Sequence, residues 1–395
     1  SFVDPSNSKV ILPHETVDRL MTIITGRTNA FYSDALGRTD LEYEQDGEAS
    51  LCGLSHGHWK RGFVKGDDLY KPFTTSLKHF MESYGAVWGL AMGVERIGFQ
   101  ERLRIEDKEY FYNRNVTIRL GEYDANGKFV YRQVNNVERS VDAERLYSEI
   151  MVGTDKFEPY EEIQGLDEFN TQSTFATVIN KIQNPLNLLS KYRRDATGGE
   201  IARRLSKETQ PTKDTQYDEK IFMEDMKRSI TDVFEQRKWQ DDFQMEPTGI
   251  FDPSSATNLR LSQVRMILRS GWEIATSLIK YPSDFIRFTS TEGNANLETL
   301  LTGELEPRKE NDDVPNSDLE RAIHEPEMVK FEYPVSNKLM AHIESKTEIL
   351  GREIENKYGL VEFMNEKGRI ERGHIESLKP NGTGEWMLRK YYALN

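Results

Sequence analysis

Cysteine is nearly absent from this sequence, since Cys52 is the single one among 395 residues. One cysteine excludes a disulfide framework and any zinc site built from several cysteines. Long apolar runs are missing as well. The longest uninterrupted run of apolar residues and glycine extends from Tyr84 to Val94, whereas a helix needs about 20 residues to cross a bilayer. The sequence therefore predicts no membrane span.

The sequence also lacks the common cofactor and nucleophile motifs. It contains no G-x-G-x-x-G, no G-x-x-x-x-G-K-[ST], no G-x-S-x-G and no H-E-x-x-H. We therefore predict that the chain has no catalytic activity and no cofactor of its own. The formal net charge of −14 argues against broad coating of nucleic acid, and sequence-specific nucleic-acid binding is not expected.

Aromatic and apolar residues are abundant enough to form packed cores. The chain has 19 Phe, 17 Tyr and 5 Trp, and 37% of its residues are apolar, which excludes wholesale disorder. Apolar and polar residues alternate around Leu103–Glu106, Val116–Gly121 and Phe129–Tyr131, a pattern typical of antiparallel strands with one face in water. The expected fold class is therefore α+β, dominated by β-structure, with a few amphipathic helices.

The length predicts two or three domains, at roughly 100–200 residues each. We expect residues 1–135 to form a domain of helix and antiparallel sheet, and residues 136–285 to form a second α+β domain. Residues 286–395 are expected to hold an acidic loop followed by a small β-rich region. Within this plan, polar composition predicts an exposed loop at 207–219 and a connecting loop at 304–328.

Two segments show the spacing of amphipathic helices. Residues 74–84 offer the capping residues Thr74, Thr75 and Ser76 and then apolar residues on one face, with Gly85 near the predicted end. Residues 258–280 carry a broad apolar face that Pro282 ends. The second helix is expected to serve mainly as core, with burial against a partner as the alternative.

Two short segments resemble metal-binding patterns. Cys52, His56 and His58 offer a thiolate and two imidazoles, but a further ligand is not near them in sequence. A surface turn that ends a buried half-strand accounts for the same residues and is preferred. Asp124–Gly127 resembles the opening of a calcium loop, but asparagine stands near the position where a bidentate glutamate should close such a loop. A hairpin turn is therefore preferred there.

Charges of opposite sign are concentrated in two segments. Residues 191–207 hold six basic residues, and residues 304–328 hold nine acidic and three basic ones. The candidate subunit contacts are Arg193, Arg194, Arg203 and Arg204 in the first segment and Asp312 and Asp313 in the second. In a ring, the acidic segment of one copy would meet the basic segment of the next and set the register more than the affinity. Neutralising the four arginines is then expected to impair assembly without unfolding the monomer.

Several phrases of the sequence resemble large virion structural proteins of tailed phages of Bacteroidota hosts, including crAss-like phages. The first is Pro72-Phe-Thr-Thr-Ser-Leu-Lys-His-Phe-Met-Glu-Ser83, followed by Gly89-Leu-Ala-Met-Gly-Val-Glu95, Arg104-Ile-Glu106 and Tyr110-Phe-Tyr112. Further phrases are Tyr147-Ser-Glu-Ile150, Gly165-Leu-Asp-Glu-Phe-Asn170, Leu189-Ser-Lys-Tyr-Arg193, Thr212-Lys-Asp-Thr-Gln-Tyr-Asp218, Asn258-Leu-Arg-Leu-Ser262 and Arg265-Met-Ile-Leu-Arg269. The resemblance covers about residues 17–280 and departs at Ala91-Met92 and Thr197–Gly199.

The resemblance implies assembly rather than chemistry. It implies a tail hub, tip or baseplate protein of the virion, assembled in the host cytoplasm as a ring or trimer with other tail proteins. The order of helix and strands is similar to phage tail hub domains, which is an analogy at the level of the fold.

The alternatives are a tail-associated glycan hydrolase, which needs two carboxylates in a cleft, and a module that binds host-surface carbohydrate. The positions of Trp59, Trp239 and Trp386 should discriminate among these. The acidic residues Glu42, Glu44, Asp46 and Glu48 favour a solvated loop over a catalytic pair.

Overall fold

The computed structural model describes residues 8–155, 172–194, 196–237, 258–290, 298–310 and 312–393. Helices account for 23% and strands for 35% of the structure. The expected mixture of helix and strand with more strand than helix is confirmed. No helix among the described residues is both long and apolar enough to cross a membrane.

Seven α-helices lie within the described residues, and most of them are short. They are α1 (Pro13–Thr25), α2 (Gly57–Lys60), α3 (Leu77–Trp88), α4 (Ala196–Arg204), α5 (Gln263–Arg269), α6 (Gly271–Ala275) and α7 (Asn337–Ile343). Helix α1 ends at Gly26, which adopts the left-handed conformation (φ 66°). Helix α3 continues through Gly85 and ends at Gly89 instead (φ 68°).

Four sheets contain most of the strands that lie outside the largest sheet. A three-stranded sheet has the order β1 (Phe31–Tyr32), β4 (Gln100–Asp107), β3 (Leu90–Ile97). A second has the order β13 (Phe234–Gln236), β12 (Ile221–Arg228), β2 (Cys52–His56). A five-stranded sheet has the order β11 (Pro185–Ser190), β9 (Glu149–Thr154), β10 (Gln172–Ala176), β14 (Phe285–Phe288), β17 (Val314–Pro315). Strands β15 (Glu298–Thr299) and β16 (Arg308–Lys309) form a small pair.

The largest sheet has six strands and contains most of the C-terminal region. Its order is β5 (Val116–Arg119), β21 (Leu360–Met364), β22 (Ile370–Lys379), β23 (Glu385–Tyr391), β18 (His324–Glu332), β8 (Asn135–Val141). Two hairpins stand beside it, β6 (Gly121–Tyr123) with β7 (Phe129–Tyr131) and β19 (Lys346–Ile349) with β20 (Arg352–Glu355). We call the six-stranded sheet the C-terminal sheet.

The two largest hydrophobic cores among the described residues support these sheets. The first, which we call the central core, combines side chains of α1, α3, α5 and the five-stranded sheet, including Val17, Trp88 and Ile267. The second lies against the C-terminal sheet and includes Ile118 and Trp386. The C-terminal sheet takes β5 and β8 from residues assigned by sequence to the first domain or to its boundary with the second. Sheet pairing thus crosses the predicted domain limits.

The segment 258–280 is core, as predicted, but it is not one helix. A 3-10 turn at Leu259–Leu261 is followed by α5, α6 and a second 3-10 turn at Thr276–Leu278. The break at Ser270 and Gly271 allows close packing, because a Cβ on Gly271 would lie 2.8 Å from the backbone nitrogen of Glu320.

The two predicted loops have different outcomes. Residues 207–219 contain no helix or strand, as predicted, and most of them are exposed, although Tyr217 and Asp218 are buried. The prediction that 304–328 is only a connection is wrong. This segment contains β16, β17 and the first residues of β18, because its backbone pairs with strands distant in sequence.

Candidate assembly surface

Arg193 and Arg194 are buried in the structure, so the prediction that they form exposed contacts is wrong. Arg193 is 3% and Arg194 0% exposed. Arg194 Nε donates to Thr154 Oγ1 at 3.0 Å, and its Nη1 donates to the carbonyl of Leu261. These bonds tie the strand β9 to the segment before α5. The arginines are buried because polar groups of distant segments surround them, which their spacing in the sequence does not reveal.

Arg203 and Arg204 are nearer to solvent at the end of α4. Arg203 pairs in a bidentate manner with Glu200, with its Nε 2.7 Å from Oε2 and its Nη2 2.6 Å from Oε1. Arg204 Nε donates to Glu200 Oε1 at 3.0 Å, and this side chain is 56% exposed. Of the four predicted arginine contacts, Arg204 is the one that is largely exposed, while Arg203 is mostly covered, with 18% of its side chain exposed.

Asp312 and Asp313 also lie at or near the surface, and both have local partners. Asp312 pairs with Lys309 at 3.1 Å, and Asp313 Oδ1 accepts the backbone N–H of Phe288 at 2.8 Å. The N–H of Asp313, followed by Lys309, holds the pKa of Asp312 below its ordinary value. Both aspartates thus stabilise their own loop as well as carrying charge at the surface.

The most exposed apolar feature is the hairpin of β3 and β4, which sequence analysis did not single out. Met92 and Val94 are about half exposed (51% and 54%), and Phe99 at the tip is fully exposed. Their cross-strand neighbours Ile105 and Leu103 are buried, so the core covers β4 and ends before it reaches β3. Among the described residues, β3 is the edge strand of its sheet. We call this feature the apolar hairpin.

A two-residue turn makes the apolar hairpin project. Ile97 pairs with Gln100, and Gly98 between them has φ 59°, which a glycine adopts without strain. Gly93 is needed further down, because a Cβ there would lie 2.7 Å from the Phe111 ring and from the Tyr358 hydroxyl. The signal in the sequence was the alternation of apolar residues on β3, but alternation does not tell a buried face from an exposed one.

The opposite face of the hairpin is anchored by buried charges. Tyr110 donates to Glu95 at 2.7 Å, and Arg104 pairs with Glu106 at 2.7 Å. Burial raises the pKa of Glu106 to about 7, a value that suits a general acid. However, its two oxygens accept the backbone N–H groups of Asp34 and Ala35 at 2.7 and 3.0 Å. Glu106 therefore positions the segment after β1 and does not present an oxygen to a substrate.

Three other tips carry fully exposed apolar residues. Ile230 lies between β12 and β13, Leu305 between β15 and β16, and Leu350 between β19 and β20, with exposures of 107%, 98% and 99%. Leu350 also has φ 51°, an uncommon conformation for a residue with a branched side chain. Isolated exposed apolar residues are common on proteins. The apolar hairpin differs because two half-exposed apolar residues, Met92 and Val94, share one strand with the fully exposed Phe99 at its tip.

The histidines predicted to end a buried half-strand lie inside the protein rather than at its surface. His56 and His58 are 4% and 1% exposed, and their ring nitrogens have no hydrogen-bond partner among the described residues. His56 stacks on Trp59 and Phe73, with ring centroids at 4.7 and 5.8 Å. Burial raises the pKa of Cys52 to about 12, which keeps the thiol protonated. The described residues include no group of three or more His, Cys, Asp or Glu placed to bind a metal ion.

Asp124 forms the predicted hairpin turn. Its Oδ1 accepts the backbone N–H groups of Asn126 and Lys128, both at 2.9 Å, and Gly127 has φ 77°. The turn joins β6 to β7, and the side chain that would have opened a calcium loop caps the turn instead.

The tryptophans offer little aromatic surface for a sugar. Trp386 is fully buried, and its indole N–H donates to the carbonyl of Tyr333 at 2.9 Å. Trp88 and Trp272 are buried as well, and Trp59 is partly covered by His56 and Phe73. Trp239 lies outside the described residues.

Comparison of this chain with protein-family models, with curated proteins and with solved structures finds no match.

Proposed function

We propose that this chain is a structural subunit that associates with copies of itself through the apolar hairpin. The observation that carries the proposal is the exposure of Met92, Val94 and Phe99 along one edge strand and its tip. Edge strands of stable monomers usually carry charges or prolines that prevent pairing with another chain. This one carries apolar side chains on one face, although Arg96 also lies on it and Lys357 Nζ donates to the Val94 carbonyl. We assign a second copy of the chain as the occupant of the apolar face.

The energy of such a contact would come from apolar burial. Covering a side chain the size of Val, Met or Phe contributes about 1.5–3 kcal/mol. The three side chains of one hairpin therefore supply several kcal/mol for each copy. The exposed ion pair between Arg96 and Glu101 at 3.8 Å flanks the tip and would add little affinity. Its charges would instead favour one register of the two copies.

We place this subunit in the tail of a phage virion, as a hub, tip or baseplate component. The support is the resemblance of the phrases at 72–83, 89–95 and 258–269 to virion structural proteins of Bacteroidota phages. In that setting the subunits would form a ring or trimer and contact other tail proteins. Closed symmetry repeats one pair of patches around an axis, which hides every apolar hairpin. The buried tryptophans give no support to the carbohydrate-binding alternative.

Sedimentation velocity of a hairpin variant tests the association. The variant Met92→Thr, Val94→Thr, Phe99→Ser keeps strand-forming residues within β3 and removes the apolar surface. We expect the wild-type chain to sediment as an oligomer and the variant as a monomer with an unchanged far-UV circular dichroism spectrum. The matched control, Tyr123→Ser with Val130→Thr, changes exposed residues of the β6–β7 hairpin and should remain oligomeric.

Two results would contradict the proposal separately. A wild-type chain that stays monomeric, or a hairpin variant that associates as the wild type does, refutes the assembly surface. Electron micrographs of phage particles labelled with an antibody against this chain test the location. If the tails of the particles carry no label, the proposed location in the virion is wrong. The association through the apolar hairpin is then tested by sedimentation alone.

A further inference from the structure

A pair of buried histidines in the C-terminal sheet faces the segment that leads into β5 and the Trp272 ring of α6. His324 begins β18 and His374 lies in β22, and the two are 0% and 2% exposed. His324 Nε2 lies 2.9 Å from His374 Nδ1, and His374 Nε2 lies 2.9 Å from the carbonyl oxygen of Asn113. The Asn113 carbonyl belongs to the segment after the 3-10 turn Lys108–Phe111, outside the C-terminal sheet.

The carbonyl determines where the protons of both rings lie. A carbonyl oxygen only accepts, so His374 Nε2 must carry the hydrogen that it donates to Asn113. In the neutral ring, Nδ1 of His374 is then an acceptor, and His324 Nε2 must donate to it. It follows that Nδ1 of His324 is an unprotonated acceptor. This atom is buried and has no hydrogen-bond partner among the described residues.

Aromatic rings contact the pair, and charged groups of both signs lie around it. The Tyr112 ring lies 4.9 Å from His324 and 5.4 Å from His374, and the Trp272 ring lies 6.1 Å from His324. The charged and titratable groups near the pair are Lys108, Arg145 and Glu273 on the central side, Arg114 with Glu109 and Glu320 beside Asn113, and Asp142, Glu144, Glu376, Arg389 and Tyr391 around the C-terminal sheet.

The carboxylates among these groups already have cationic partners. Glu273 pairs with Lys108 at 2.6 Å and with Arg145, and Asp142 pairs with Arg389 at 2.7 Å. Burial, the neighbouring His374 ring and the charges of Arg145 and Arg389 hold the pKa of His324 well below its ordinary value. Burial lowers the pKa of His374 to about 4. Among the described residues, no carboxylate forms an ion pair with either ring, so a histidinium would have no direct anionic partner.

One added proton disrupts this arrangement wherever it binds. On His324 Nδ1 it creates a buried N–H without an acceptor, even if the hydrogen between the rings moves from His324 Nε2 to His374 Nδ1. On His374 Nδ1 it opposes the N–H of His324 and breaks the bond between the rings. Both outcomes also place a positive charge between Arg145 and Arg389. Water can solvate the charge only if the junction opens.

We propose that the His324–His374 pair is an acid-sensitive latch, and that uptake of protons by this pair opens the junction between the C-terminal sheet and the central core. The central core and the core of the C-terminal sheet each have their own apolar packing. Opening can therefore expose the junction while both cores persist. The latch is independent of the assembly surface, because its groups are buried at a different place in the chain.

Hydrogen exchange of the full chain at pH 7.5 and pH 5.5 tests the latch. Carboxylates with ordinary pKa values stay ionised over this range, while a histidine freed by opening, with a pKa of about 6.5, gains a proton. Each freed ring should raise the opening equilibrium about ten-fold by pH 5.5. We expect at least that loss of protection, corrected for intrinsic exchange rates, in peptides covering 110–114, 324–332 and 370–379.

A double glutamine variant removes the titration and keeps the hydrogen bonds. In His324→Gln with His374→Gln, one amide N–H₂ can donate to the next amide oxygen, and the second can donate to Asn113. The pH response of the junction peptides should disappear, while His79→Gln, on the exposed face of α3, should respond as the wild type does. A response that persists in the double variant, or that is absent from the wild type, overturns the proposal.

Side-chain ¹⁵N spectra of the wild type give a test that does not depend on any variant folding. With selectively labelled histidine, both rings of the pair should appear as the neutral Nε2–H form at pH 7.5 and should not titrate near pH 6.5. A ring of this pair found in the Nδ1–H form, or one that titrates near pH 6.5 while the junction stays protected, overturns the latch.

Discussion

At the scale of single residues, buried arginines hold separate loops of this chain in place. Arg61 binds both oxygens of Asp218 at 2.8 and 2.6 Å and donates to the carbonyl of Gln210, which anchors the polar segment 207–219. Arg265 binds Glu310 at 3.0 Å and so anchors the acidic segment after β16. These polar and acidic loops are thus held in place by buried guanidinium groups, each of which offers several hydrogen-bond donors.

Replacing Arg194 should destabilise the protein, whereas replacing Arg204 should not. Arg194→Ala leaves the carbonyl of Leu261 and the hydroxyl of Thr154 without their donor and opens a cavity, so the free energy of unfolding should fall by about 2–4 kcal/mol. Arg204→Ala, at an exposed position, should change it by less than about 0.5 kcal/mol. Denaturant unfolding measures both.

The fourfold neutralisation of Arg193, Arg194, Arg203 and Arg204 is consequently a poor test of assembly, because it unfolds the monomer through Arg194. If Arg194→Ala were as stable as the wild type, the buried hydrogen bonds of Arg194 would not stabilise the protein as predicted here.

His56 should make the fold sensitive to acid. Burial lowers its pKa from 6.5 to about 4, so between these values the unfolded chain binds a proton that the folded chain does not. Its contribution to stability is therefore complete above pH 6.5 and is lost as the pH falls toward 4. His56→Phe keeps the stacking on Trp59 and Phe73 and removes the proton site.

The variant should gain about 1 kcal/mol of stability relative to the wild type when the pH is lowered from 7.5 to 5.5. Unfolding in urea at the two pH values measures this difference, with His79→Phe as an exposed control. A difference between His56→Phe and the wild type that does not change with pH would rule out the titration of His56.

At the scale of elements, local chemistry decides where helices and hairpins begin and end. The sequence offered Thr74, Thr75 and Ser76 as caps for α3, and the structure uses Ser76, whose hydroxyl accepts the N–H of His79 at 3.2 Å. Thr75 instead shares a hydrogen bond with Tyr192 at 2.5 Å. Helix α7 repeats the arrangement with Ser336 and Leu339.

Ser76→Ala should lower the free energy of unfolding by about 1 kcal/mol, because the N–H of His79 loses its acceptor at the start of α3. Ser76→Asp should restore most of the loss, since a carboxylate can cap the same group and also interacts favourably with the helix dipole. Thr74→Ala serves as the matched control and should be neutral. Urea unfolding of the three variants measures these changes in stability. If Thr74→Ala lowered the free energy of unfolding as much as Ser76→Ala does, Ser76 would not be the capping residue.

At the scale of the whole molecule, the C-terminal sheet depends on strands from the first half of the chain. Strand β5 pairs with β21 in parallel, and β8 pairs with β18 in an antiparallel manner. Ile118 of β5 belongs to the core of that sheet. Without β5 and β8, strands β21 and β18 would both become apolar edges exposed to solvent.

Residues 286–395 should therefore not fold when expressed alone, even though the sequence marks them as a separate region. We expect this fragment to lack a cooperative thermal transition by circular dichroism, and to gain one when it is co-expressed with residues 1–285. A fragment that melts cooperatively by itself would show that the C-terminal sheet is complete without the first half of the chain.

The sequence by itself determined the mixture of helix and strand, the positions of several strands and turns, and much of the core. Gly26, Asp124 and Gly127 act within a few residues of themselves, and alternation on β4 and β5 reports a face that is buried wherever the strand docks. Trp386 and Ile267 are large and apolar, so they are buried in almost any compact fold. These inferences needed no knowledge of what each segment packs against.

Tertiary structure alone decided which strands pair, which charges are buried and which apolar face remains open. Arg194 and Arg204 look alike in sequence, yet Arg194 is buried against Leu261 and Arg204 is exposed beside Glu200. His324 and His374 become partners only because β18 and β22 both flank β23. Met92 is exposed because the core ends beneath β4. Each outcome depends on contacts between residues far apart in the chain, and local periodicity carries no information about those contacts.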